Sequence, residues 1–143
     1  MESRERFAVE APADEAWRRL GAFHALPEIA PLYVKSQMEG RGRFRRLSDR
    51  AGGELFEALL HFDHAARTFT YRILETKDID LPYVEGSYTG TLRVIDDGSE
   101  KGCVLEVIAR YEPKPGRAEE AARDTRAFYE SCLSALARPR AGA

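Results

Sequence analysis

The stretch PGRAEEAARDTRAFYESCLSALA, Pro115 to Ala137, decides the fold. Its apolar residues fall at Ala118, Ala121, Ala122, Phe128, Tyr129, Cys132, Leu133 and Leu136. Glu119, Glu120, Arg123, Arg126 and Glu130 take the other face. This spacing predicts one long amphipathic helix. Six or seven segments upstream read as strands, with almost no other helix among them. A single helix cannot fill the concave face of so wide a sheet. The expected class is therefore α+β, with a cavity between sheet and helix, and a cavity is where function would reside.

The rest of the chain narrows the classes. Its 143 residues suit one domain over 1–143, ordered from about 3 to 137, with a frayed tail from Arg138 to Ala143. A net charge of −2 gives no electrostatic case for nucleic acid or an anionic membrane as partner. No apolar run approaches the roughly 20 residues of a membrane span, and Met1 to Arg6 lacks the apolar core of a signal peptide. Two cysteines, Cys103 and Cys132, are too few for a disulfide framework, which points to a reducing cytoplasm. A monomer or homodimer is expected.

Residues 4–10 read as a first strand with Phe7 and Val9 inward. Ala13 to Leu20 follow as a short helix, with Pro12 at its start, acids in its first turn and Gly21 at its end. Ala16, Trp17 and Leu20 form its buried face. Phe23 to Ala30 make a second short helix or turn. Strands are then expected at 33–39, 43–48, 54–62, 67–74, 85–95 and 103–111. Val34, Ser36 and Met38 share one face of the first of these, and Glu39-Gly40-Arg41-Gly42 is its hairpin turn. The loop from Glu75 to Val84 carries Leu81-Pro82-Tyr83, a candidate lid at the mouth.

Strand alternation assigns the concave face. Cys103, Leu105, Val107, Ala109 and Tyr111 turn inward on the last strand, leaving Glu106 and Arg110 to water. Tyr88, Leu92 and Val94 turn inward on 85–95, and Phe69, Tyr71 and Ile73 on 67–74. On 54–62, Leu55 and Leu59 go in, which forces Glu57 in with them. If Leu47 is inward on 43–48, so is Arg45. A hairpin centred on Ala51 sets Leu47 opposite Leu55 and Arg45 opposite Glu57. Either charge alone would be costly in a core, whereas a hydrogen-bonded pair is tolerated. The register thus predicts an Arg45–Glu57 ion pair on the cavity wall.

With these residues placed, the chain resembles the SRPBCC or START-like proteins of the polyketide cyclase/dehydrase group. Glu10-Ala11-Pro12-Ala13-Asp14-Glu15-Ala16-Trp17 and Phe23-His24-Ala25-Leu26-Pro27-Glu28 are similar to the start of that family. Glu39-Gly40-Arg41-Gly42 with Arg45, Glu57-Ala58-Leu59-Leu60, Asp63 and Tyr71-Arg72-Ile73 resemble its middle, and Phe128-Tyr129 its final helix. The resemblance implies a helix-grip fold: a curved, seven-stranded antiparallel sheet around the C-terminal helix, with two short helices after the first strand. It also implies a pocket for an apolar or aromatic ligand. The chain departs from the family at Ile29-Ala30, where relatives often carry an aromatic and a polar residue. That corner is left out of the expected pocket.

The candidate ligand-binding residues are Arg45, Glu57, Leu59, Phe69, Tyr71, Tyr88, Leu92, Val107, Tyr111, Phe128, Tyr129 and Cys132. Three functions fit them. The favoured one is binding or carriage of a hydrophobic small molecule, lipid or polyketide-like. The second is a cyclase or dehydratase, with Glu57 as general base, Arg45 as its electrostatic partner and a tyrosine as donor. The third is a regulatory module acting through protein contacts. Each residue also has a plainer reading: a self-satisfied ion pair for Arg45 and Glu57, and core filling for the tyrosines and helix residues. His24, His61 and His64 are too scattered for a metal site, so neither metal nor cofactor is expected. His64 sits in a turn, and a bulge near the strand end would turn His61 outward. Cys103 and Cys132 are read as buried inert thiols that approach across the cavity. No helix follows Gly40 and Gly42, which excludes a nucleotide loop. Arg41, Arg43, Arg45 and Arg46 split across two faces and do not form a nucleic-acid patch.

Overall fold

A computed structural model describes residues 1–137, and the tail from Arg138 onward lies outside the described residues. Strand β1 (Glu2–Val9) leads into helix α1 (Ala13–Leu20) and a 3-10 turn (Phe23–Glu28). Strands β2 (Tyr33–Glu39), β3 (Phe44–Asp49), β4 (Glu54–Asp63) and β5 (Thr68–Lys77) then run as a meander. Strands β6 (Thr89–Ile95) and β7 (Cys103–Arg110) complete the sheet, and helix α2 (Ala118–Leu136) closes the fold. The sheet has seven antiparallel strands in the order β1-β7-β6-β5-β4-β3-β2.

Local chemistry accounts for α1. Pro12 precedes its first residue, Asp14 and Glu15 occupy the first turn, and Gly21 ends it, donating to Trp17 O at 2.7 Å. Its buried residues Ala13, Ala16, Trp17 and Leu20 join the core. The β3–β4 register is the expected one, with Leu47 opposite Leu55 and Arg45 opposite Glu57. A bulge between Leu59 and His61 turns His61 out to solvent.

Three expectations need correction. Strand β6 begins at Thr89, not at residue 85. Gly86 adopts φ +78° and Ser87 N bonds back to Val84 O, so the chain is still turning there. Glu106 does not face water but is 6% exposed. Arg6 and Arg93 stand directly across from it, and Arg6 pairs with its carboxylate at 2.8 Å. On α2, Ala118 and Ala122 are exposed, while the buried row is Ala121, Thr125, Tyr129 and Cys132. Thr125 is tolerated there because tyrosine hydroxyls meet its oxygen. Strand β2 is an edge strand, and its Val34 and Met38, for which no burial was expected, are exposed.

Gly90 positions a site residue. A Cβ there would fall 2.7 Å from the Tyr71 ring, so the absence of a side chain lets Tyr71 lie flat across β6. Its hydroxyl then reaches the helix.

Candidate functional site

Sheet and helix enclose a cavity of about 70 Å³, roofed by Phe128, Tyr129 and Cys132 of α2. Its wall is mainly apolar, with two polar regions. Nine of the twelve expected ligand-binding positions line it: Arg45, Glu57, Phe69, Tyr71, Tyr88, Leu92, Phe128, Tyr129 and Cys132. Leu59, Val107 and Tyr111 do not. Leu59 sits at the β4 bulge and packs at the edge of the core. Val107 is fully buried between Leu105 and Ala109. The Tyr111 ring packs on Tyr83 at 4.8 Å and Tyr88 at 6.0 Å, behind the wall.

The first polar region is the ion pair. Arg45 donates from Nε to Glu57 Oε1 at 2.7 Å, with Nη2 in ion-pair contact with the same oxygen at 2.7 Å, and donates from Nη1 to the Phe23 carbonyl. Its guanidinium also stacks over the Phe23 ring at 3.9 Å. Arg45 is 4% and Glu57 3% exposed, so each charge depends on the other for compensation. All the bonds to Glu57 land on Oε1; Oε2 receives no hydrogen bond from the described residues.

The second region is a hydroxyl network beneath α2. Tyr71 and Tyr129 share a hydrogen bond at 2.9 Å. Thr125 Oγ1 meets Tyr83 at 3.2 Å and Tyr88 at 3.1 Å. Tyr83 donates its proton to Asp124 at 2.7 Å. Burial dominates the acidity of these phenols. It pushes Tyr88 up to about 12 and holds Tyr71, Tyr83 and Tyr129 well above the ordinary tyrosine value. They act as neutral donors and acceptors, not as phenolates.

The thiols follow the same rule. Burial pushes the Cys132 thiol up to about 12 and raises Cys103 as well. They do not meet in the cavity, because only Cys132 lines it. At pH 8 both remain protonated and covered. Ellman's reagent should find no fast-reacting thiol in the native protein and two after unfolding. One rapid equivalent from folded protein would contradict this burial.

Alternation along a strand could not locate residues that belong to loops and turns. The Leu81–Tyr83 segment is not a free flap at the mouth. Tyr83 is 4% exposed and pairs with Pro113, while Pro82 O accepts from Lys114 N at 2.9 Å. Ile73, Leu81, Tyr83 and Tyr88 wall both the main cavity and a neighbouring hollow of about 140 Å³, so this segment is a partition. The corner left out of the pocket also contributes, through Leu26 and Ile29. Asp124 and Thr125 line the cavity too, and both were missed. The signal for Thr125 was available: it continues the spacing from Ala121 to Tyr129. His64 lies in its turn as expected, and its Nδ1 accepts from Trp17 Nε1 at 2.9 Å. No group of three or more His, Cys, Asp or Glu that could hold a metal occurs among the described residues. None of the helices searched there is long and apolar enough to cross a membrane.

A curved antiparallel sheet gripping one long helix, with a cavity between them, defines the START-like helix-grip class. Solved structures agree. An uncharacterised protein from Bacillus thuringiensis superimposes with a TM-score of 0.83 at 24% identity, over 95% of this chain and 96% of its own. XoxI from Bacillus cereus gives 0.82 at 24% identity, over 94% and 92%. The di-domain ARO/CYC protein BexL, of the BE-7585A biosynthetic pathway, gives 0.73 at 24% identity, over 95% of this chain and 45% of its own. No curated protein matches the chain in sequence. The chain belongs to the polyketide cyclase / dehydrase and lipid transport family, whose model matches residues 2–139.

Proposed function

We propose that the protein binds a hydrophobic or aromatic small molecule between the sheet and α2, as a carrier more than as a catalyst. The observation that carries this reading is the mainly apolar cavity bounded by both layers of the fold. At about 70 Å³ it is smaller than the roughly 150 Å³ apolar cavity that takes benzene. Loading therefore requires a wall to yield. The Leu81–Tyr83 partition is the segment whose displacement joins the cavity to the 140 Å³ hollow beside it. The two free buried thiols suit a reducing cytoplasm as the working compartment.

One observation favours a cyclase or dehydratase as the second reading. Glu57 is not sealed behind leucines; it lines the cavity with Oε2 unengaged, where a general base would need it.

Native mass spectrometry of gently purified protein, followed by denaturation, tests the proposal. A stoichiometric apolar passenger is expected, and Glu57→Gln should retain it if the protein is a carrier. A passenger that the wild type converts and Glu57→Gln only holds favours the enzyme. An empty protein that gains no thermal stability from a panel of aromatic and acyl compounds overturns both readings.

A further inference from the structure

The cavity wall carries one charge with no counter-charge. Arg45 and Glu57 cancel each other at 2.7 Å. Asp124 also lines the cavity, yet it forms no salt bridge among the described residues and receives its hydrogen bond from a neutral phenol, Tyr83. Lys114 and Arg117, the cations just ahead of α2, are occupied by Asp80 and Glu120.

Part of the hydrogen-bonding capacity left over accepts. Tyr71, Tyr88, Tyr129 and Thr125 are engaged with other hydroxyls, and Arg45 is engaged through all three nitrogens. Two carboxylate oxygens in the wall, Glu57 Oε2 and Asp124 Oδ1, are open acceptors, and the Tyr33 hydroxyl, also in the wall, makes no hydrogen bond among the described residues. Around Asp124 the cavity presents the aromatic residues Tyr33, Tyr83 and Phe128, and Phe128 lies one helical turn beyond Asp124 on the same side of α2. A carboxylate among aromatic faces is the setting that favours an ammonium group. A ligand carboxylate would instead place a second negative charge beside Asp124, with an already neutralised arginine as its only cation in the wall.

We propose that the cavity selects a cationic amine carried on a hydrophobic or aromatic skeleton. The ammonium is held by Asp124 at the half-buried end, and the apolar body lies against Leu47, Leu55 and Leu92. This rests on the binding reading above and narrows it away from fatty acids and other anionic lipids.

Titrating the full chain with 2-phenylethylamine, 2-phenylethanol and phenylacetate at pH 7, followed by amide NMR shifts of cavity residues, separates the possibilities. The amine should bind about tenfold more tightly than the alcohol, and phenylacetate most weakly. Asp124→Asn keeps an acceptor for Tyr83 but removes the charge, and should bring the amine-to-alcohol ratio to about one. Glu119→Gln removes the same charge from the exposed face of α2 and should leave the ratio at its wild-type value. A wild-type ratio near or below one overturns this inference while leaving the binding reading intact. So does a preference for the amine that survives Asp124→Asn. Three probes that leave the cavity unperturbed overturn both.

Discussion

Replacing Arg45 with leucine should lower the unfolding free energy by about 3–5 kcal/mol, measured by urea denaturation. Leucine fills part of the space, but it leaves Glu57 as a carboxylate 3% exposed with no positive partner, and it strands the Phe23 carbonyl. Both groups would then carry a desolvation cost that nothing offsets. The double change Arg45→Leu with Glu57→Leu removes both charges and should recover a large part of that loss. The contrast matters more than either number, because it separates the cost of an orphaned charge from lost packing. A single variant that loses under about 1 kcal/mol would mean that water reaches the pair, and it would remove the case for a dry wall.

Tyr83→Ala should cost a similar amount, about 3–5 kcal/mol, and should change binding as well. The ring fills the partition between the two hollows and packs on Tyr88 at 4.6 Å and Tyr111 at 4.8 Å. Its hydroxyl is the donor to Asp124 and a partner of Thr125. Truncation joins the two spaces. The variant, although less stable, should therefore gain more thermal stability than wild type from added 2-phenylethanol. Tyr83→Phe keeps the partition and loses only the hydroxyl, so it should lose about 1–2 kcal/mol with no such gain. If Tyr83→Ala gains nothing from the ligand, the partition does not control access.

The charged pair was legible in the sequence for a physical reason. A two-residue period leaves no freedom: once Leu47 and Leu55 are inward, Arg45 and Glu57 must follow, and the hairpin turn sets them opposite each other. The same logic placed Phe69, Tyr71 and Leu92. It failed where the period breaks. The β4 bulge took Leu59 out of the wall, and the turn at Gly86 shortened β6. It also misjudged Glu106, because alternation assigns a face of the sheet but says nothing of long arginines folding over that face. Asp124 and Thr125 were missed because a polar residue on a helix reads as solvent-facing. The helical spacing did hold a place for Thr125 in the buried row, whereas only contact with Tyr83, far away in sequence, makes Asp124 part of the wall.

The sheet closes on its first strand last. Strand β1 pairs with β7 alone, in a register that sets Glu2 against Arg110 and Val9 against Cys103. During synthesis the β2–β5 meander can form as each hairpin emerges, but β1 must wait for a partner about 100 residues later, roughly 5–20 s at ordinary elongation rates. Throughout that interval Phe7 and Val9 have no sheet to cover them, and the amide edge of β1 is open to other nascent chains. Such long-range closure predicts slow refolding for a chain of this size, and it makes the N-terminal segment the part most dependent on chaperones before the last strand arrives.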